Sequence, residues 1–132
     1  MKKSLFTILL LFSSFNVLAE NPEDIVRKYF SADIEEANDM PSPLKVEVEV
    51  SEVELNNKPP KEILARLMHP TLCGSGGCTT VILYKNNNEW QQITPSLVTH
   101  GDLQILKSQS NGFYSIQFGT GKLWHFNGAQ YQ

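Results

Sequence analysis

The spacing of apolar positions changes several times along the chain, and each change predicts a new element. Leu5 to Phe12 is a continuous apolar run. Lys2 and Lys3 precede it, and it closes on Val17-Leu18-Ala19 before Glu20. A basic start, a short apolar stretch and small residues before a cut are what signal peptidase accepts, so residues 1–19 are expected to be a cleaved leader. Ser13, Ser14 and Asn16 interrupt the run short of the roughly 20 apolar residues that a spanning helix needs. No cysteine stands at the cut, which argues against a lipoprotein, and no membrane span is expected after it. The remainder, residues 20–132, has the size of one ordinary domain.

From Glu20 onward the pattern alternates between helical and extended periods. Asn21 caps, Pro22 suits the first helical position, and Glu23 and Asp24 favour the positive end of the helix dipole. Ile25, Val26, Tyr29, Phe30, Ile34 and Ala37 then recur at helical spacing. Asn38 to Pro43 ends this helix. Leu44, Val46, Val48 and Val50 alternate with Lys45, Glu47 and Glu49, which predicts a half-buried strand. The phase slips at Ser51-Glu52, since Val53 and Leu55 fall on the other parity; a bulge or a break there would return them to the core face. After the loop Asn56-Asn57-Lys58-Pro59, Pro60 is expected to open a short second helix with Ile63, Leu64, Leu67 and Met68 as its stripe, ending before Pro70.

The C-terminal half predicts short strands: Thr79 to Lys85, Glu89 to Thr94, Leu103 to Leu106, Phe113 to Phe118, Leu123 to Phe126 and Ala129 to Gln132. Asn86-Asn87-Asn88, Asn111-Gly112 and Asn127-Gly128 mark the turns. The expected fold is therefore α+β: an N-terminal helix, one strand, a short helix, then an antiparallel β-meander packed on the helices, with one disulfide. Its single core is expected to hold Val26, Phe30, Val48, Ile63, Leu67, Ile82, Trp90, Ile105, Ile116, Phe118 and Trp124.

Charge changes the picture. The chain as a whole carries −3, a balance that disfavours nucleic-acid binding, which needs clustered Lys and Arg. Residues 20–54 hold eleven acids and three bases, whereas residues 55–132 hold three acids and six bases. Such a split either keeps a solvated face soluble or presents a docking surface to a cationic partner.

Little in the sequence points to catalysis. Cys73 and Cys78 are the only cysteines; outside the cytoplasm two thiols this close are expected to pair, and the glycines of Cys73-Gly74-Ser75-Gly76-Gly77-Cys78 permit a small ring. A redox pair would favour two intervening residues and a βαβ context. Zinc would need more ligands than two thiols and scattered histidines. The Gly-rich loop lacks the Lys and following helix of a phosphate cradle, and Ser75 lacks the nucleophile elbow. His69, His100 and His125 show no ligand spacing and read as surface or loop histidines. Glu47 and Glu49 share one strand face, more simply an edge-protecting row than a glycosidase pair. No cofactor and no metal site is expected. The candidate binding patch comprises Glu47 and Glu49 with the C-terminal aromatics Trp124, Phe126 and Tyr131.

Two stretches carry a resemblance. Cys73-Gly74-Ser75-Gly76-Gly77-Cys78 runs into a strand–turn–Trp hairpin, and the chain closes on Trp124-His125-Phe126-Asn127-Gly128-Ala129-Gln130-Tyr131. Over about residues 70–131 this resembles small exported bacterial proteins with a Cys-Gly-x-x-Gly-Cys clip and a terminal Trp-x-aromatic-Asn/Asp-Gly-x-x-Tyr motif. The resemblance implies a β scaffold and a disulfide, and no shared activity. In size, compartment and disulfide count the chain is also similar in class to periplasmic lysozyme inhibitors and to immunity proteins. The expected function is a periplasmic or secreted non-enzymatic module that binds a cationic protein. The alternatives are an envelope-polymer hydrolase using a carboxylate with His69 or His100, and an envelope accessory protein.

Overall fold

The computed structural model describes residues 18–132. The apolar run of the expected leader lies outside the described residues. The helical pattern forms two helices, α1 (Pro22–Tyr29) and α2 (Ser31–Asp39). The Asn21 side chain accepts from the Glu23 N–H at 2.9 Å, as the sequence predicts for a cap. The single expected helix is interrupted at Phe30, whose φ of −101° and ψ of 25° leave the helical region while its ring is buried.

Eleven elements follow one another in the described chain, and nine are strands. They are β1 (Glu47–Val53), β2 (Glu62–Met68), β3 (Cys73–Gly74), β4 (Gly77–Asn86), β5 (Glu89–Gln92), β6 (Leu97–Thr99), β7 (Leu103–Ser110), β8 (Phe113–Phe118) and β9 (Leu123–Trp124). All pairings are antiparallel. The first six strands form one sheet in the order β1-β2-β4-β3, with β5 and β6 also on β4; the last three form a second sheet, β7-β8-β9.

The six-stranded sheet is covered on both faces. Val46, Val48, Val50, Ile63, Ala65, Leu67, Val81 and Leu83 pack with Val26, Phe30 and Ala37 of the helices. Leu55, Leu64, Ile82, Tyr84 and Ile93 pack with Phe113, Ile116, Phe118, Trp124, Phe126 and Tyr131 from the C-terminal half. There are thus two apolar clusters where one was expected, in a helix–sheet–sheet arrangement.

This double burial explains two corrections. Residues 60–69 were expected to be helical, yet Glu62–Met68 is the strand β2, buried on alternate positions toward the helices and half-buried toward the second sheet. A short apolar run buried on both faces does not alternate, so its periodicity cannot distinguish strand from helix. The expected bulge or break at Ser51-Glu52 is also absent: β1 and β2 stay in unbroken register from Glu47↔Met68 to Val53↔Glu62. Val53 and Leu55 have no need to return to the first core, because they belong to the second.

Other expectations shift more mildly. Ile105, expected in the core, is 43% exposed; it lies where the β7–β8 register shifts between Ile105 and Gln109. Val48, Trp90 and Trp124 are half-buried. The terminal segment makes one bridge, Phe126↔Tyr131, rather than a strand. Cys73 and Cys78 form a disulfide across directly paired residues of β3 and β4. The tight ring depends on Gly77, whose φ is +122° and whose missing Cβ would fall 2.1 Å from the Thr99 carbonyl carbon.

Candidate functional site

The acidic residues of the N-terminal segment gather on the helices and on β1, the edge strand of the larger sheet. β1 pairs with β2 on one side only. Its sequence, Glu47-Val48-Glu49-Val50-Ser51-Glu52-Val53, contains three carboxylates and no cation. Val48 and Val50 face the helices, which drives the strand to form, and alternation turns Glu47 and Glu49 to the opposite face, about 7 Å apart. Both are exposed, as is Glu52. Among the described residues the ion pairs are Arg27–Glu23 and Lys85–Glu20, so the carboxylates of β1 are unpaired. Arg66, directly opposite Glu49 in the ladder, is otherwise engaged: its guanidinium donates to Thr80 Oγ1 at 3.2 Å and to the Gly101 carbonyl at 3.1 Å.

Three cavities run along this edge, each with a β1 carboxylate in its wall. Glu47 shares a cavity of about 270 Å³ with Leu44, Lys45, Met68, His69, Pro70 and Cys73. Glu49 shares a cleft of about 110 Å³ with Ser51, Leu64, Arg66, Asp102 and Leu103. Glu52 borders the largest, about 550 Å³, whose other walls include Pro22, Ile25, Pro60, Ile63 and Trp90. Each therefore combines an apolar lining with an acidic group and a cation of the chain itself: Lys45 in the first, Arg66 in the second, Lys61 and Lys85 in the third. Exposed apolar residues lie close to the same end of the strand: Leu44 is 56% exposed and Met40 45%. Met40 borders a further cavity with Asp33, Glu36 and Leu72.

His69, expected on the surface or in a loop, lies in the loop after β2 and is only 4% exposed. Its Nδ1 lies 2.8 Å from Thr71 Oγ1 and 3.2 Å from the Thr71 N–H, and buried Nε2 has no partner. His100 Nε2 contacts the Ser75 carbonyl at 3.2 Å and His125 Nδ1 contacts Ser115 Oγ at 2.8 Å. Ser115 is 1% exposed, so this Ser–His contact is out of a substrate's reach. Among the described residues no group of three or more His, Cys, Asp or Glu side chains is placed to hold a metal ion.

The aromatic part of the expected patch is corrected. Phe126 and Tyr131 are buried, and with Phe113 they form an edge-to-face and tilted cluster at centroid distances of 4.1 to 6.3 Å. Tyr131 donates its O–H to the Tyr114 carbonyl at 2.8 Å, and burial holds its phenol well above the usual range. Trp124 is half-buried on the second sheet, with Lys122 Nζ 4.5 Å from its ring centre. The candidate patch thus divides into exposed Glu47 and Glu49 on one sheet and core aromatics on the other.

Glu62 was not singled out by the sequence, where it looked like one more polar position of a helix. It is fully buried, and its Oε2 accepts from the Leu55 N–H at 2.8 Å while Oε1 has no partner. Burial raises its pKa above the ordinary carboxyl value, and the charge of Glu54 adds to the rise. The Leu55 carbonyl in turn accepts from the Tyr114 N–H at 2.8 Å, so this carboxyl braces the junction of the two sheets.

The helix layer is also tied at its start. Glu20 Oε2 accepts from Lys85 Nζ at 3.1 Å and from Trp90 Nε1 at 3.3 Å, and these donors hold its carboxyl below the ordinary range. The described residues contain no helix long and apolar enough to cross a membrane. No family model, curated protein or solved structure matches the chain.

Proposed function

We propose that this chain is an exported, non-enzymatic binding module that takes a cationic protein partner through its acidic N-terminal surface. The observation that carries this reading is the set of unpaired carboxylates on β1, bordered by cavities with apolar walls and by exposed Leu44 and Met40. Opposite charge across an interface steers encounter and fixes orientation, while apolar contact supplies affinity. Export is supported by the leader pattern in residues 1–19 and by the disulfide, which persists in an oxidising compartment. The periplasm or the extracellular medium is the place of action on this reading.

The test is capture from an envelope extract on the immobilised chain, followed by titration of the purified partner. The expected partner is basic, weakens as salt rises from about 0.05 to 0.5 M, and is lost with the double charge reversal Glu47→Lys/Glu49→Lys. Salt-independent binding that survives the reversal contradicts the reading.

A further inference from the structure

We infer that the partner contributes an extended basic segment that adds to β1 as a new edge strand. This inference rests on the proposed cationic partner and specifies how it is held. β1 is seven residues long, in unbroken register with β2, and no hydrogen bond from any described residue reaches its outer backbone edge. Unpaired N–H and C=O groups along a regular strand are a template for another strand. Neither a proline nor a bulge interrupts this one.

The side chains select what pairs. A second copy would bring another Glu47, Glu49 and Glu52 to the same seam against a single Lys45 from each chain, so the acidic edge disfavours self-pairing. A basic strand meets the opposite situation. Side chains at alternate positions of an added strand share one face at about 7 Å spacing, which matches Glu47 and Glu49. The cavities beside those residues suit lysine or arginine. Met68 and Leu44 in one, and Leu64 and Leu103 in the other, line a path for an aliphatic stem, and the carboxylate receives the cationic head. His69 adds an independent sign of an incomplete site: it forms part of the wall of the Glu47 cavity, and its Nε2 is buried without a hydrogen-bond partner.

The probe is a capped heptapeptide alternating lysine with valine. Its control has the same side chains, but every second backbone nitrogen is N-methylated, which keeps the charge and removes one edge of hydrogen bonds. The first peptide is expected to bind, to slow hydrogen exchange at alternate amides of Glu47–Val53, and to weaken at least about tenfold on N-methylation of one edge. Glu47→Lys/Glu49→Lys, both exposed and expected to leave the circular dichroism spectrum unchanged, should weaken it comparably. If both peptides bind alike and the β1 amides stay unprotected, strand addition is overturned while the acidic-surface reading stands. If binding ignores charge reversal and salt, the acidic-surface reading fails and the strand proposal fails with it. If the parent peptide does not bind while a basic partner does, strand addition alone is overturned.

Discussion

The two faces of the six-stranded sheet are covered by different materials. The helix-covered face packs mainly aliphatic side chains, Val26, Ile63, Ala65 and Val81 among them, under two helices that carry much of the chain's acid. The opposite face packs against Phe113, Phe118, Phe126 and Tyr131. Aromatic side chains bring a large buried area and a hydrogen-bonding tip, which suits the second face to locking two sheets together. Exposed carboxylates lie on the helices and on the edge strand β1, where Glu47 and Glu49 point away from the helices. A sequence rich in C-terminal aromatics thus uses them for stability, and the acidic residues that look like simple solvation border the open edge.

The largest expected effect breaks the aromatic side. Phe113→Ala should cost about 3–5 kcal/mol in denaturant unfolding, because Phe113 packs tilted on Phe126 and edge-to-face on Tyr84 and is almost fully buried. The variant should bind a cationic partner normally wherever it remains folded. Next, Cys73→Ser with Cys78→Ser should cost about 2 kcal/mol, the chain-entropy value for so short a ring, read as a shift of the unfolding midpoint. A loss several times larger would mean that the β3–β4 turn organises more of the sheet than its own hairpin.

The third prediction concerns the junction of the faces. Burial raises the pKa of Glu62 in the fold above its unfolded value. Its protonated form is therefore favoured by folding, and its contribution to stability is complete below the ordinary carboxyl range and lost as pH rises through the folded value. Glu62→Gln keeps an acceptor for the Leu55 N–H and carries no charge. The variant should gain on the wild type as pH climbs from acid to neutral, read as a widening difference between their unfolding midpoints. Parallel stability curves for the two proteins would contradict this. The smallest effect on stability belongs to Glu47→Lys/Glu49→Lys, within about 0.5 kcal/mol, although binding should collapse.

How much of this was legible in the sequence follows from which residues are buried on one face only. The Asn21 cap, the β1 alternation and the Asn111-Gly112 hairpin announced themselves, the last realised with φ of 50° and 81° at its two central residues. The disulfide was readable from two cysteines spaced by glycines. β2 was not, because Ile63-Leu64-Ala65-Arg66-Leu67 is sandwiched between two layers and shows no period of two. For the same reason the parity change at Val53 and Leu55 looked like a bulge. Glu47 and Glu49 were identified correctly as an outward row. Phe126 and Tyr131 were not separable from a surface patch, since alternation shows that a residue faces one side of a sheet and not what covers that side. The burial of Glu62 and His69 gave no signal: a polar residue at the end of an apolar run reads as exposed until tertiary contacts cover it.

The most direct test of the division of labour is a backbone amide shift map of the isotope-labelled chain titrated with a basic partner. Perturbations concentrated on Glu47–Val53 and the neighbouring Leu44, Met40 and Leu103, with β8 and β9 silent, are the predicted outcome. Perturbations centred on β8, β9 and Trp124, with β1 unchanged, would place the interface on the aromatic sheet and contradict the account.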